Sequence, residues 1–390
     1  VYEEPQALLE SDIPYTSLPK AMGEFVIASR KSVVIAGTHG KTTTTSMVSW
    51  IAEQCGLNPG FLIGGIPKNF SRSFQVPKGD IFVIEGDEYD TAFFDKVPKF
   101  IHYKPKFVIL TSVEFDHADI YPNIDAVVAA FKMLVELIPQ DGILAVCAES
   151  SLAMQITPLC RGRVVTYGIK TGQYRVGEVK KSSGRTVFEV IKDGQSIDQI
   201  ETGVYGVHNI ANALGAYALS REMGFSLANV KNAFATFSGV KRRQEIIGNP
   251  RGITVIEDFA HHPTAVSVTI DAIKEHYPGQ KVFCVFEPRS ATSRRRVFEQ
   301  EYIEAFSKGQ PVLLARPFNQ SMIAADDRFS GERVIDALKK RGQEAYLLED
   351  ADHILKTLCD LAKPRDVILI MSNGGFDGLY NKLLDGLAQK

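Results

Sequence analysis

The stretch "VVIAGTHGKTTTT" (Val33–Thr45) joins an apolar run to two glycines, a lysine and four threonines. Glycines let the backbone turn tightly, and a helix that begins near Lys41 points its positive end at the same place. Lys41 can then reach outer phosphates, and the Thr42 hydroxyl can join a magnesium ion. The stretch therefore predicts a phosphate-binding loop between a strand and a helix. The loop is shorter than the G-x-x-x-x-G-K-[ST] spacing, whose first glycine would fall on Ile35, and a turn that binds nothing is the alternative.

The segments around this loop alternate between short apolar runs and helical patterns. Helical spacing runs from Lys41 to Gly56. The predicted strands of this part are Ser32–Ala36, Ile81–Ile84, Phe107–Leu110 and Ile143–Val146. Such alternation is expected of an α/β fold with a parallel sheet.

Two changes of pattern divide the chain further. Residues 163–205 carry β-branched and aromatic residues between the turn signals "SSGR" and "KDGQ", which predicts a small antiparallel subdomain. A second α/β series begins after "GVKRRQE", with strands predicted at Thr254–Ile256, Lys281–Phe286, Val312–Leu314 and Val367–Met371. We therefore predict a connector over residues 1–30, a central domain over 31–240 and a C-terminal Rossmann-like domain over 241–390.

The composition excludes several classes of protein. The 390 residues carry a formal net charge of −2, without the basic excess of a nucleic-acid binder, so nucleic acid is not an expected partner. The cysteines are Cys55, Cys147, Cys160, Cys284 and Cys359. They form no C-x-x-C pair, which argues against a zinc site or a disulfide framework and fits a reducing cytoplasm. No apolar run approaches the ~18 residues of a membrane span, so no membrane partner is expected.

Acidic and histidine side chains follow two further predicted strands. In "FVIEGDEYD", Glu85 ends the apolar strand, at the edge where α/β folds bind ligands, and Mg²⁺ takes one or two carboxylates with water and phosphates. In "VEFDHADIY", a neutral His117 can also ligate a metal. Solvated acidic loops remain the alternative for Asp87, Glu88 and Asp90. Together with the phosphate loop, Glu85 and His117 predict a metal and phosphate site at one edge of the sheet.

Six segments occur in an order and at intervals that resemble the Mur ligases, the ATP-dependent amide-forming enzymes of bacterial peptidoglycan synthesis. The segments are "GTHGKTTTT", "EGDEYD", "EFDHADIY", "GVHNIANALGA", "KRRQE" and "EDFAHHPTA". The shortened loop is similar to the G-x-x-G-K-T-T of that family. The resemblance implies a central ATP-binding domain and a C-terminal peptide-binding domain, with ATP and Mg²⁺ as cofactors.

A second group of segments narrows the resemblance to one branch of the family. These are "GGIPKNF", "EYDTAFFDK", "FEPRSAT" and "MSNGGFDGLYNKLLDGL". They are similar to the branch that joins the lactyl carboxylate of UDP-N-acetylmuramate to the amine of the recycled tripeptide L-alanyl-γ-D-glutamyl-meso-diaminopimelate. The implied mechanism passes through an acyl phosphate, because an amine cannot displace hydroxide from a carboxylate. Clustered cations would stabilise the charge on the phosphoryl oxygens.

The resemblance assigns roles to individual residues. The phosphate loop comprises Gly37, Thr38, His39, Gly40, Lys41, Thr42 and Thr43. The metal ligands would be Thr42, Glu85 and His117, and the catalytic residues Lys41, His117, Arg243 and His261. Asn209 and Asn212, which share one helix face, would read the adenine, and Asp258 would lie near the ribose.

Four residues are assigned to the substrates. Arg289 and Ser290 in "FEPRSAT" would hold the incoming peptide, whose carboxylates suit a guanidinium. Asn373 in "SNGG" would help to bind a peptide carboxylate, with a tight turn as the favoured alternative. His262 lies beside His261 on the loop that faces the reacting groups, and a purely structural loop is the alternative for both histidines.

Some positions depart from the family pattern. Ser112 stands where Asn is expected, Gly86 where Ala is commoner, and Gln244 where an apolar residue is usual. None of these departures removes a candidate ligand. Lys132 lies where some family members carry a carbamylated lysine, so it is a candidate for a second metal, although the muramate-specific branch does not generally use one.

The N-terminal UDP-binding domain of the family has no counterpart in this sequence. Residues 1–30, broken by Pro5, Pro14 and Pro19, resemble only a remnant of that domain and a linker. We therefore expect the 390-residue chain to bind ATP but not to position the UDP-sugar, and to be inactive or nearly so as a ligase.

Two other functions remain open. A UDP-N-acetylmuramate–L-alanine ligase shares the loop and the double histidine, and differs around "FEPRSAT" and "SNGGFDG". An ATP-dependent switch or binding protein is the second alternative. Against it, the candidate groups are split between two predicted domains, as a ligase that closes its domains requires.

Overall fold

The computed structural model describes residues 3–182 and 184–389. Ser183 of the predicted "SSGR" turn therefore lies outside the described residues, as do Val1, Tyr2 and Lys390. The described chain forms a ten-stranded sheet, a six-stranded sheet and a two-stranded hairpin. Helices cover both faces of each large sheet. The predicted α/β fold, with a large and mostly parallel sheet followed by a second sheet, is confirmed.

The central sheet has the strand order β12-β11-β10-β9-β8-β7-β1-β4-β2-β3, and β5 pairs with β6 in the separate hairpin. The strands are β1 (Lys31–Ala36), β2 (Gly60–Leu62), β3 (Phe74–Gln75), β4 (Ile81–Gly86), β5 (Asp90–Ala92), β6 (Asp95–Pro98), β7 (Phe107–Leu110), β8 (Ile143–Cys147), β9 (Arg163–Gly168), β10 (Tyr174–Ser182), β11 (Arg185–Lys192) and β12 (Gln195–Thr202). β1 pairs in parallel with both β4 and β7. These three strands are apolar almost throughout because both of their faces are buried.

Two layers of helices enclose the central sheet. The helices are α1 (Glu3–Leu9), α2 (Leu18–Ala21), α3 (Lys41–Gln54), α4 (Ile124–Glu136), α5 (Ser151–Ile156), α6 (Val207–Glu222) and α7 (Leu227–Thr236), with a π-helix at Met22–Ile27 and 3-10 turns at Lys99–Tyr103 and Thr157–Leu159. On one face, α3, α6 and α7 pack through residues such as Met47 and Phe234. On the other, α4 and α5 pack through Phe131 and Ile156. No helix among the described residues has the length and apolar character needed to cross a membrane.

The antiparallel strands of residues 163–205 extend the central sheet. β11 pairs in the antiparallel direction with both β10 and β12, as predicted. They are not a separate sheet, because β10 pairs with β9, and β9 itself pairs in parallel with β8. Pairing with β9 satisfies backbone groups that would otherwise stand at an open sheet edge.

The second sheet has the order β13-β14-β18-β15-β16-β17, parallel except for the edge strand β13. Its strands are β13 (Glu245–Gly248), β14 (Thr254–Asp258), β15 (Val282–Phe286), β16 (Val312–Ala315), β17 (Ala345–Leu348) and β18 (Val367–Met371). Its helices are α8 (Pro263–His276), α9 (Glu299–Phe306), α10 (Gly331–Lys340), α11 (Ala351–Leu361) and α12 (Leu379–Gln389), with 3-10 turns at Pro250–Gly252, Arg296–Phe298, Ala325–Asp327 and Phe376–Gly378. α8, α9 and α10 cover one face, and α11 and α12 cover the other.

Candidate active site

The carboxyl ends of three neighbouring strands form one side of the candidate site. The order β7-β1-β4 places the segments at the ends of these strands side by side. The phosphate loop follows β1, Glu85 lies near the end of β4, and residues 111–117 follow β7. α/β folds bind ligands at this edge of the sheet. The structure thus brings together the three groups that the sequence placed after separate strands.

Two glycines shape the phosphate loop. Gly37 has a φ of 122°, and a Cβ there would lie 2.2 Å from Thr111 Oγ1. Gly40 has a φ of 81°, and a Cβ there would lie 2.4 Å from Asn212 Oδ1. Residues with a side chain rarely adopt this backbone conformation, and neither position has room for one. The loop therefore requires glycine at both positions.

The segment after β7 supports the phosphate loop. Thr38 N–H donates to Ser112 O at 3.0 Å, and His39 N–H donates to Ser112 Oγ at 3.2 Å. Glu114 N–H donates to Thr38 Oγ1 at 2.9 Å. Ser112, a departure from the family pattern, is thus a direct contact of the loop through its hydroxyl as well as its backbone.

A buried carboxylate joins the phosphate loop to the third strand end. Lys41 Nζ donates to Gly37 O at 2.7 Å and to Glu88 Oε2 at 2.9 Å. Glu88, which is 1% exposed, also has Oε1 3.3 Å from His117 Nε2. Burial opposes the negative charge of Glu88, but Lys41 and His117 outweigh it and lower the pKa of that carboxyl. The sequence did not distinguish Glu88 from Asp87 and Asp90. The structure distinguishes Glu88 by its burial.

His117 is held in a charged environment. Burial opposes its positive charge, but the hydrogen bond with Glu88 and the field of Asp116 raise the pKa of His117. Its backbone has a φ of 56°, and its backbone N–H donates to Asp116 Oδ1 at 2.7 Å. A metal ion would have to displace the proton shared with Glu88 before His117 could act as a ligand.

Glu85 and Thr42 form an oxygen-rich pair beside the phosphate loop. Thr42 Oγ1 donates to Glu85 Oε2 at 3.0 Å, and Gly64 N–H donates to Glu85 Oε1 at 2.6 Å. Burial raises the pKa of Glu85, and Gly64, Arg243 and Lys41 partly offset this effect. A buried carboxylate next to a hydroxyl at a phosphate site fits Mg²⁺, which prefers oxygen ligands and offsets the cost of burying the charge.

A cavity of about 770 Å³ lies between the central sheet and the second sheet. It is lined by most of the residues assigned from the sequence, namely Thr38, His39, Gly40, Lys41, Thr42, Thr43, Glu85, His117, Asn209, Asn212, Arg243, Asp258, His261 and His262. Gly37 does not line the cavity, but its carbonyl oxygen accepts a hydrogen bond from Lys41 Nζ. Arg243 Nη2 donates to Thr42 Oγ1 at 3.3 Å, and its guanidinium lies 4.8 Å from the Phe259 ring. The segment that leads into β13 therefore supplies a cation to the phosphate loop.

Asp258 shapes the loop that carries this arginine. Its two carboxylate oxygens accept hydrogen bonds from Gln244 N–H at 2.8 Å and from Ala260 N–H at 2.7 Å. Burial raises the pKa of Asp258, while Arg243 acts in the opposite direction. The carboxylate lines the cavity and also fixes the backbone at Gln244 and Ala260.

The two adjacent histidines differ in their contacts. His261 Nδ1 lies 3.1 Å from Phe259 O, and burial lowers the pKa of His261, so its ring is neutral near pH 7. His262 has both nitrogens engaged: Nδ1 accepts from Thr264 N–H at 3.2 Å, and Nε2 lies 3.1 Å from Phe115 O. His261 keeps a free ring nitrogen among the contacts of the described residues, whereas His262 caps α8 and joins the two sheets.

A further interdomain contact involves His39, Glu114 and His262, whose possible ligand atoms lie within 4.8 Å of one another. Glu114 Oε2 accepts from Thr264 Oγ1 at 2.7 Å and lies 3.3 Å from His39 Nε2. Because both nitrogens of His262 are also engaged, these residues form a hydrogen-bond network rather than an open set of metal ligands.

The loop after β15 contacts the loop after β7. Thr292 Oγ1 donates to Asp116 Oδ1 at 2.9 Å and accepts from Ala118 N–H at 3.4 Å. Both Thr292 and Asp116 are buried. The segment "FEPRSAT" therefore holds the loop that carries His117, a relationship that the sequence did not reveal.

The predicted peptide-binding residues form a group of their own at the ends of β15 and β18, outside the lining of the cavity. Arg289 Nη1 donates to Glu287 Oε1 at 3.1 Å, and its guanidinium lies 4.0 Å from the Phe318 ring. Ser290 Oγ accepts from Ser293 N–H at 3.0 Å, which closes a turn. Asn373 Oδ1 is buried and has no hydrogen-bond partner among residues 3–182 and 184–389.

Lys132 lies apart from all of these groups. It is exposed on α4, which covers the face of the central sheet opposite α3, and it does not line the cavity. A lysine in that position cannot supply a second metal ligand to the phosphate loop without a large displacement of the helix. The prediction of a second-metal role for Lys132 therefore finds no support in the structure.

Two family models match the chain: the Mur ligase middle domain over residues 35–220, and the Mur ligase, glutamate ligase domain, over residues 242–374. The chain belongs to the Mur ligase family. Membership identifies an enzyme, an ADP-forming ligase, and thereby favours this function over an ATP-dependent switch or binding protein.

Similar proteins include members of two branches of the family. The chain is 38% identical to the UDP-N-acetylmuramate–L-alanyl-γ-D-glutamyl-meso-2,6-diaminoheptandioate ligase of Escherichia coli, covering 99% of this chain and 82% of that protein. It is 33% identical to the UDP-N-acetylmuramate–L-alanine ligase of Salinibacter ruber, covering 92% of this chain and 74% of that protein. Among solved structures, the murein peptide ligase of Psychrobacter arcticus matches with a TM-score of 0.72 and 30% identity, covering 100% of this chain and 84% of that one.

Proposed function

We propose that this chain belongs to an ATP-dependent ligase that joins the lactyl carboxylate of UDP-N-acetylmuramate to the amine of L-alanyl-γ-D-glutamyl-meso-diaminopimelate, a step of peptidoglycan recycling. The observation that carries the proposal is the contact of Arg243, from the segment that leads into β13, with Thr42 of the phosphate loop at 3.3 Å. A ligase that holds ATP on one domain and the acceptor on the other needs such a shared cleft. The 38% identity to the Escherichia coli ligase supports the same substrates.

In the first step, a lactyl carboxylate oxygen attacks the terminal phosphorus of ATP, the bond to the bridging oxygen breaks, and ADP leaves. Lys41 and the backbone N–H groups of the phosphate loop stabilise the negative charge that develops on the phosphoryl oxygens. Arg243 adds a second cation from the opposite side of the cleft. Magnesium, when held by Thr42 and Glu85, would supply further charge neutralisation at the same phosphates.

In the second step, the peptide amine attacks the acyl carbon, and the tetrahedral intermediate expels phosphate to leave an amide. The amine must lose a proton. His261 is suited to accept it, because its ring is neutral and Nδ1–H donates to Phe259 O, which leaves the lone pair of Nε2 available. The contacts of His262 and Thr292 with the central sheet keep the two domains together and limit the access of water to the acyl phosphate.

The acceptor peptide would lie at the ends of β15 and β18. Arg289 offers a guanidinium for a carboxylate, and Asn373 offers an amide oxygen that has no partner among the described residues. Gly374 allows this arrangement, because a Cβ at that position would lie 2.2 Å from Arg289 Cδ. A peptide with several carboxylates and a free amine matches this pair of groups.

The test is phosphate release with MgATP and UDP-N-acetylmuramate, with the tripeptide or free L-alanine as acceptor. The assay uses this chain and, in parallel, the same chain extended at its N-terminus by a UDP-binding domain of the family. Release by the extended chain with the tripeptide and not with L-alanine is the expected result. Release with L-alanine alone would identify the protein as a UDP-N-acetylmuramate–L-alanine ligase. Release with neither acceptor in the extended chain would refute the proposal.

A further inference from the structure

Arg242 contacts the loop that follows β18. Its Nη2 donates to Ser372 O at 3.0 Å and to Gly374 O at 2.6 Å. These carbonyl groups belong to the 372–374 loop, which also carries Asn373 and lies at one of the two strand ends proposed for the acceptor peptide. Arg242 therefore contacts the acceptor side of the cleft, although its neighbour in the chain, Arg243, contacts the phosphate loop.

The backbone directs the two arginines to different places. Arg242 has a φ of 60° and Gln244 a φ of 49°, a region that residues with a side chain seldom adopt. Two hydrogen bonds hold this turn, from Arg242 N–H to Glu245 Oε2 at 2.8 Å and from Phe259 N–H to Arg242 O at 2.9 Å. A turn held in this way gives each arginine its own direction, so the two side chains are not interchangeable.

The charges of the two arginines are treated differently. Arg242 Nε donates to Glu257 Oε1 at 2.6 Å, so its charge is neutralised by a carboxylate of the second sheet. Arg243 forms no ion pair with any residue of the described ranges, and its guanidinium reaches Thr42 at the phosphate loop. A free cation suits phosphate, whereas a paired guanidinium with two carbonyl partners suits the support of a loop.

A second set of contacts joins the 372–374 loop to Arg289. Ser372 Oγ donates to Glu287 Oε2 at 2.5 Å and accepts from Gly374 N–H at 2.9 Å. The other oxygen of Glu287, Oε1, accepts from Arg289 Nη1 at 3.1 Å. Ser372 and Glu287 are both buried. Because Glu287 contacts both the loop and Arg289, a displacement of the loop would also disturb the guanidinium proposed to bind a peptide carboxylate.

We propose that Arg242 is a positioning residue for the acceptor peptide. It holds the 372–374 loop, and through Glu287 the guanidinium of Arg289, in the arrangement that binds the peptide. The neighbouring arginines thus serve different substrates, Arg243 the nucleotide and Arg242 the acceptor. The inference rests on the proposed place of the acceptor at the ends of β15 and β18. Loss of Arg242 should weaken acceptor binding and leave phosphate transfer intact, because Lys41 and Arg243 stay in place.

The experiment measures kcat and the KM values for ATP and for the tripeptide, by phosphate release, in the chain extended by the UDP-binding domain. Arg242→Met should raise the KM for the tripeptide about tenfold or more, because the loop loses two charge-assisted hydrogen bonds. The KM for ATP, and kcat at saturating tripeptide, should stay within about threefold. Arg243→Met should show the opposite pattern, with kcat lower by about 100-fold and the KM for the tripeptide nearly unchanged.

Ser372→Ala is the second variant, because it removes the hydrogen bond to Glu287 with little change of volume. It should also raise the KM for the tripeptide, and it decides the question if Arg242→Met does not fold.

Arg185→Met is the matched control. Arg185 likewise donates to a carboxylate, Glu201 Oε1, at 2.9 Å and to a carbonyl, Ala235 O, at 2.6 Å. It lies on β11, outside the cavity lining and away from the 372–374 loop. The variant loses the same kinds of contact as Arg242→Met, and both KM values should stay unchanged.

An unchanged KM for the tripeptide in folded Arg242→Met, or in Ser372→Ala, would overturn this inference alone. An equal rise of the KM for ATP would also overturn it, because a general loosening of the cleft would then explain the result. No phosphate release with the tripeptide by the unmodified extended chain would overturn the proposed function together with it.

Discussion

Lys41 Nζ lies 2.9 Å from Glu88 Oε2, and this buried ion pair joins the phosphate loop to the acidic loop after β4. Burial opposes the positive charge of Lys41, but Glu88 and Asp87 outweigh it and raise the pKa of the amine. The amine is therefore charged over the whole physiological range of pH. Glu88 fixes its position and also contacts His117, so one carboxylate organises two of the predicted catalytic residues.

Replacing Lys41 by Met should lower phosphate release at least ~100-fold, because the charge that stabilises the phosphoryl oxygens is lost. The affinity for ATP should fall as well, since Lys41 lies on the loop that binds the phosphates. Phosphate release by the extended chain and ATP binding by this chain measure the two effects. Lys339→Met, at an exposed position on α10, is the control and should change neither. Unaltered release by Lys41→Met would exclude Lys41 from catalysis.

Replacing Glu85 by Gln should weaken the dependence of nucleotide binding on Mg²⁺. Glutamine can keep the hydrogen bond from Gly64 N–H but lacks the charge that a hard cation requires. We expect the gain in ADP affinity on adding Mg²⁺ to shrink at least about tenfold, with binding in the absence of Mg²⁺ nearly unchanged. Asp141→Asn, at an exposed acid paired with Lys106, is the control. If Mg²⁺ increased the ADP affinity of Glu85→Gln and of Asp141→Asn equally, Glu85 would not be a metal ligand.

Replacing Thr292 by Val should destabilise the contact between the two domains. The variant leaves buried Asp116 without a donor from the second sheet, which should cost about 1–3 kcal/mol in the free energy of unfolding. Thr292→Ser keeps the hydroxyl and should lose far less. Urea denaturation of the two variants gives the comparison, and an identical effect of Val and Ser would mean that the hydroxyl contributes nothing.

The stability of the chain should depend on pH through His208. Burial lowers its folded pKa to about 4, below its ordinary value of 6.5, so the unfolded chain binds the proton first. This contribution to stability is fully present above about pH 6.5 and is lost as the pH falls toward 4, by about 1.4 kcal/mol per pH unit. His208→Gln should remove this dependence of the free energy of unfolding on pH. Urea denaturation of the unmodified chain and the variant at pH 7 and pH 5 would test the prediction. An equal loss of stability in both proteins at pH 5 would contradict the role of His208.

The strands and the strand-end residues were predictable because both depend on local pattern. The predicted strands lie within β1, β4, β7, β8, β14, β16 and β18, or overlap β15, since buried parallel strands are apolar throughout. Short strands without that signal, such as β2, β3 and β17, were missed. Glu85 and His117 could be placed beside Lys41 because the carboxyl ends of neighbouring parallel strands meet at one edge.

Other relationships depend on how distant segments pack. The sequence treated Asp87, Glu88 and Asp90 alike, and only the path of the loop after β4 buries Glu88 between Lys41 and His117. In the same way, nothing local shows that Thr292 contacts Asp116, which lies 176 residues away in the chain. The folded structure is also needed to tell which donors and acceptors of a side chain are already engaged by other residues.

The α/β class, a phosphate loop and a resemblance to the family could be predicted from the sequence, because apolar periodicity, glycine spacing and the order of motifs are properties of short segments. Which of these groups contact one another depended on packing within and between the two domains. The tertiary structure placed Arg243 against Thr42, engaged both nitrogens of His262 and buried Glu88 between Lys41 and His117. The contacts of Arg243 with Thr42 and of His262 with Phe115 form only where the two domains meet. Each hydrogen bond made within the protein there leaves one donor or acceptor fewer for a ligand.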